Sequence, residues 1–147
     1  MLGQNMDAGF SPNLGDTRHT LLIVSQVRLF SESIAEAIEG NPNLTVVGLA
    51  ADTGEALSAL RAHPSATVLI DAAFPRGLEA LRAIRDADPS TPIIVFALVE
   101  TEDNIIPWVK GGATGYIPST ASIHAVSQMS TPSSAASRSV RAPSRPG

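Results

Sequence analysis

The sequence predicts an α/β protein built as a doubly wound, five-stranded parallel sheet, and three observations carry that expectation. Apolar runs recur along the chain: LLIV, LTVVGLA, ATVLID, PIIVFALV and TGYIP. Most of them are continuous rather than alternating, as in strands buried on both faces. Stretches with apolar residues at helical spacing separate the runs, and turn formers such as Gly40-Asn41-Pro42 and Gly111-Gly112 punctuate the joins.

Taken in order, residues 1–19 read as a flexible leader. Residues 21–24 form a first strand, and the helix after it repeats Phe30, Ile34 and Ile38 at i, i+4 and i+8 before Gly40 stops it. Leu44–Ala50 is a second, β-rich strand. Thr53 then caps a helix whose Ala56, Leu57 and Leu60 face inward. Residues 66–71 make a third strand, and Leu78, Leu81 and Ile84 mark the helix that follows. Residues 92–99 are a fourth strand.

Ile105, Ile106 and Val109 suggest a shortened fourth helix. Its Pro107 fits only if the helix begins near Asp103 or Asn104, because only the first turn has spare N–H groups. Gly115–Pro118 is a fifth strand, and residues 122–129 offer about two turns of a stunted fifth helix. The architecture is flavodoxin-like, with functional groups at the carboxyl ends of the strands. The candidate site positions are therefore Ser25, Gln26, Asp71, Ala97, Leu98 and Ser119.

Composition excludes several classes. No run approaches the roughly 20 apolar residues of a membrane span, and the first residues lack a secretory pattern, so a cytoplasmic location is expected. There is no cysteine for disulfide or thiolate chemistry. His19, His63 and His124 show no metal-ligand spacing, and no phosphate loop or nucleophile motif occurs. The net charge of −4 is uneven: residues 21–129 hold twelve acids against six Arg or Lys, while the tail has three arginines and no acid. An acidic body carries no nucleic-acid footprint, and the Ser/Pro/Arg-rich tail, residues 129–147, is expected to be disordered.

Five segments together resemble a response-regulator receiver domain of the NarL/LuxR type, a CheY-like fold spanning residues 20–128. VSQVRLFSES is similar to the receiver's first strand and helix entry, and VVGLAADTGEAL to its second strand and helix. VLIDAAFP is similar to the strand that carries the phospho-accepting aspartate, and GLEALRAIRDADPSTPIIVF to the segment after it. NIIPWVKGGATGYI resembles the stretch from the fourth helix to the fifth strand.

The resemblance implies a two-component, phosphorelay setting in which two acids after the first strand and the acceptor aspartate hold Mg²⁺. It also implies a Thr or Ser ending the fourth strand, a lysine ending the fifth, and an aromatic switch. Here the acceptor position falls on Asp71 and the aromatic on Tyr116, but the other positions depart from the pattern. Ser25 and Gln26 stand where the acids would be, Ala97 where the hydroxyl would be, Leu98 at a position that is usually small, and Ser119 for the lysine. The loop after Asp71 is also shorter than is common.

A metal that takes carboxylate oxygens, and a transferring phosphoryl group that needs neutralisation, lose most of their partners in this set. The expectation is thus a degenerate pseudo-receiver with no cofactor. It is non-enzymatic and acts by protein–protein contact in signalling or transcription regulation. Asp71 is expected to hydrogen-bond Ser25, Gln26, Ser119 or loop amides, and Leu98 to crowd the approach of a phosphodonor. Tyr116 and Trp108 are the switch or interface candidates, with core packing an equally open reading for Trp108. A short fifth helix leaves surface that a homodimer or a protein partner is expected to cover. Direct DNA binding by this chain is not expected, since no helical periodicity follows Met129.

Two alternatives stand beside this reading. One is a phosphorylatable receiver served by a sensor kinase, with Mg²⁺ and Asp71 as acceptor. The other is a sensor of a small ligand in a neutral pocket lined by Ser25, Gln26, Leu98 and Ser119.

Overall fold

The computed structural model describes residues 19–121 and the pair 138–139. Strands and helices alternate: β1 (His19–Val24), α1 (Arg28–Ile38), β2 (Leu44–Ala50), α2 (Thr53–Ala62), β3 (Thr67–Asp71), α3 (Gly77–Ala87), β4 (Ile93–Leu98), α4 (Glu102–Gly111) and β5 (Gly115–Pro118). A two-residue β6 (Arg138–Ser139) completes a sheet of order β2-β1-β3-β4-β5-β6. The first five strands are parallel and β6 is antiparallel to β5.

The continuous apolar runs fill both faces. Leu22, Val24, Val68, Ile70 and Val95 pack against residues of α2, α3 and α4, including Leu60, Leu81, Ile84 and Trp108. Leu21, Ile23, Leu69, Ile94 and Phe96 point the other way, onto Ile34 and Ile38 of α1. Each such aliphatic side chain, taken fully out of water, contributes about 1.5–3 kcal/mol before chain entropy is set against it.

β1 starts two residues ahead of the apolar run because the His19 N–H reaches the Asn43 carbonyl at 2.8 Å and extends the ladder with β2. In α1 the expected stripe is only partly buried. Ile34 and Ile38 are in the core, whereas Phe30, one turn earlier, is 45% exposed at the helix start. The cap of α2 is Asp52, not Thr53: its Oδ1 accepts from the Glu55 N–H at 2.8 Å, and Glu55 Oε1 accepts in turn from the Ala51 N–H. An aspartate one residue earlier serves the same free donor as a threonine would, and adds a charge that favours a helix N-terminus.

α4 opens at Glu102, with the Thr101 hydroxyl accepting from the Asn104 N–H at 3.3 Å. Its ten residues equal α2 and are one fewer than α1 and α3. Pro107 therefore sits in the second turn rather than the first, where it withholds one interior hydrogen bond. Acids in the first turn, Lys110 in the last and Gly112 at φ 106° make up a well-formed helix around that gap.

Arg85 ties three segments together from the last turn of α3. Its guanidinium donates to the carbonyls of Pro89 (2.8 Å), Thr91 (2.6 Å) and Gly112 (2.6 Å). Burial pushes its pKa down and the nearby Asp88 carboxylate opposes that shift. The clamp fixes the entry to β4 and the end of α4 at the amino end of the sheet, away from the candidate site.

Of the terminal expectations, the leader lies outside the described residues except for His19, and the fifth helix, residues 122–129, lies wholly outside them. Within the tail, residues 138 and 139 form a strand. Among the described residues no helix is long and apolar enough to cross a membrane.

Candidate functional site

The carboxyl ends of β1 and β3 bring Ser25 and Asp71 together. Both are buried, at 3% and 2% exposure. Ser25 follows β1, held by its N–H on the Ala50 carbonyl at 3.0 Å. Its hydroxyl donates to Asp71 Oδ2 at 2.8 Å and accepts from the Val27 N–H at 3.0 Å, so one oxygen links β3 to the start of α1. The second carboxylate oxygen, Oδ1, accepts from the Ala73 N–H at 2.9 Å. A buried carboxylate needs such donors, and here two neutral ones supply them.

The other strand-end positions stand apart from this pair. Gln26 is exposed beyond Ser25. Ala97 adopts φ 62°, a left-handed conformation that costs a residue with a Cβ about 1 kcal/mol or more. It is the extra residue of a bulge: Phe96 pairs with Ile117 and Leu98 with Pro118, so Ala97 is skipped and turned to solvent. The slip sends Leu98 into the same core cluster as Val95, at 3% exposure. Leu98 is therefore part of the packed interior, not of the surface around Asp71 as the sequence suggested. Ser119 is exposed, its N–H on the Leu98 carbonyl at 2.8 Å.

A groove of about 810 Å³ takes in Ser25 and Gln26 and runs past Ser31 of α1 to Ala51, Gly54 and Glu55 at the start of α2, without Leu98 or Ser119 in its lining.

Tyr116 is half-buried on β5, and its O–H donates to Glu100 Oε2 at 2.7 Å. Trp108 is 7% exposed and lies against α3, where a Cβ on Gly77 would come within 2.7 Å of its Cη2. Of the two readings left open for it, the structure bears out core packing and not a surface anchor. Only a sequence residue as small as Gly77 hinted at this packing.

Mg²⁺, the ion the resemblance implies, takes near-octahedral oxygen ligands and usually one or more carboxylates. Asp71 is one carboxylate with both oxygens already accepting, and Ser25 spends its proton on it. Among the described residues no group of three or more His, Cys, Asp or Glu is placed to hold a metal. This donor set does not fit the ion.

The sequence pattern of the response regulator receiver domain matches residues 21–129. The chain belongs to the response-regulator receiver family. This receiver is 27% identical over 100 residues to the nitrate/nitrite response regulator NarL of Escherichia coli K12, covering 67% of this chain and 46% of NarL. It is 29% identical over 91 residues to the transcriptional regulatory protein YxjL of Bacillus subtilis, covering 60% of this chain and 42% of that protein. The receiver thus spans less than half of each of these relatives. Among solved structures, a LuxR-family two-component response regulator from Aurantimonas superposes with a TM-score of 0.66 at 28% identity, covering 73% of this chain and 78% of that one. The five-stranded parallel sheet is the CheY-like receiver fold, and the family is one of two-component signalling.

Proposed function

We propose that this receiver works in signal transduction and transcription regulation through protein–protein contact, without Mg²⁺-dependent phosphorylation of Asp71. The observation that carries the reading is the Ser25–Asp71 hydrogen bond, with the Ala73 amide on the other carboxylate oxygen. In this reading the two bonds make Asp71 a structural carboxylate, answered by neutral donors rather than by a metal. Phosphoryl transfer depends on charges and donors set around the moving group, each typically worth a few kcal/mol. In this reading Ser25 and Gln26 bring no charge, Ala97 no hydroxyl and Ser119 no ammonium. The chain is non-enzymatic and cytoplasmic, and its partner is another protein or a second copy rather than DNA.

Thermal denaturation with and without millimolar Mg²⁺ tests the reading, with Asp71→Asn alongside. Equal melting temperatures are expected for the wild type in both conditions. Stabilisation by Mg²⁺ that disappears in Asp71→Asn would favour a phosphorylatable receiver served by a sensor kinase.

A further inference from the structure

Among the described residues, one edge of the sheet is met by a further strand. β6 lies antiparallel on β5, with Gly115 opposite Ser139 and Tyr116 opposite Arg138. An open edge presents unpaired N–H and C=O groups that invite an extended chain. The tail meets two of the four β5 residues, so the attachment is short.

Charge singles out this edge as well. Tyr116 holds Glu100 through its hydroxyl, and Glu100, Glu102 and Asp103 are all exposed at the corner between β4 and α4. Residues 130–147 carry Arg138, Arg141 and Arg145 and no acid. Arg138 and Ser139 thus lie on the edge beside an acidic corner, with the arginine at the register position opposite the tyrosine that holds Glu100.

We propose that the β5 edge with the Tyr116–Glu100 pair is a docking site for an extended, arginine-bearing segment, and that this chain's own tail around Arg138 is its occupant. Main-chain pairing supplies the attachment, and the charge opposite Tyr116 sets the register. Residues 122–137 separate Ala121 from Arg138, and at roughly 3.3 Å per residue that length reaches the edge within one molecule. Two cross-strand pairs hold weakly, so the pairing of Arg138 and Ser139 with β5 is reversible. The proposal does not depend on the chemistry of Asp71.

Amide hydrogen exchange on the full chain tests it, comparing wild type with Arg138→Glu and Ser139→Pro. The first places like charges together and the second removes a backbone donor. Both are expected to speed exchange across residues 115–117 about tenfold while the amides of β1 and β3 stay unchanged. Adding Glu100→Arg to Arg138→Glu is expected to restore protection. Equal exchange across residues 115–117 in wild type and both variants would overturn the proposal. Protection that grows with protein concentration would overturn the assignment to the chain's own tail, in favour of a second copy's.

Discussion

Ser25 and Asp71, 46 residues apart in sequence, share a 2.8 Å hydrogen bond at the buried carboxyl end of the sheet. The same Ser25 oxygen accepts from the Val27 N–H, so the bond fixes where β3 ends and where α1 begins. A neutral hydroxyl answers the carboxylate in a place where the family resemblance implies acids and a metal.

Ser25→Ala removes a hydroxyl donor to a buried carboxylate and an acceptor from a backbone amide. It is expected to lower unfolding free energy by about 2 kcal/mol, within the range for hydrogen bonds to charged groups. A double-mutant cycle with Asp71→Asn, read by urea denaturation, is expected to show coupling of about 1–2 kcal/mol between the two positions. Additive effects would mean the contact carries no energy.

Ala97→Thr puts back the hydroxyl that the family pattern has at this position, but at φ 62°. A β-branched residue there is strained, and the expected result is a loss of about 1–2 kcal/mol, seen as a lower melting temperature. The restored hydroxyl is not expected to confer phosphorylation, because the bulge turns position 97 to solvent.

Gly77→Ala drives a Cβ to 2.7 Å from the Trp108 ring. Overpacking of this kind typically costs about 1–3 kcal/mol. Trp108 is the only tryptophan, so its fluorescence is expected to change together with stability in this variant. Ser58→Ala, on exposed surface of α2 away from the ring, is the comparison expected to leave the spectrum alone.

Arg85→Ala strips donors from the carbonyls of Pro89, Thr91 and Gly112. The side chain is only half-buried, so a loss of about 2 kcal/mol is expected rather than the sum of three full bonds. Arg85→Lys should fall between, since an ammonium cannot span three acceptors as a planar guanidinium does. Denaturant unfolding of the two variants checks the order.

The sheet was legible because its strands are apolar throughout: the limits of β2 and β5 follow from LTVVGLA and TGYIP alone. Periodicity located α1 but not its coverage, since spacing says which residues share a face and not how far the neighbouring surface extends. Phe30 belongs to the stripe and is still half in water. Sequence alone does not separate Asp52 from Thr53 as the cap of α2, because both residue types suit the position. The bulge at Ala97 had no sequence signal, because alanine is not a residue that marks positive φ. That single slip moved Leu98 from the site to the core. Asp71 was found by its place at a strand end. Two of its four expected kinds of partner, Ser25 and a loop amide, are the ones it has, because the exit of β1 turns Ser25 and not Gln26 inward.

The account turns on Asp71 being a structural carboxylate. Intact-mass measurement after incubation with acetyl phosphate and Mg²⁺ tests this most directly, with Asp71→Asn and a phosphorylatable receiver as controls. No phosphoryl adduct on this chain, under conditions that label the control receiver, is the predicted result. An adduct on the wild type that is lost in Asp71→Asn would contradict the account.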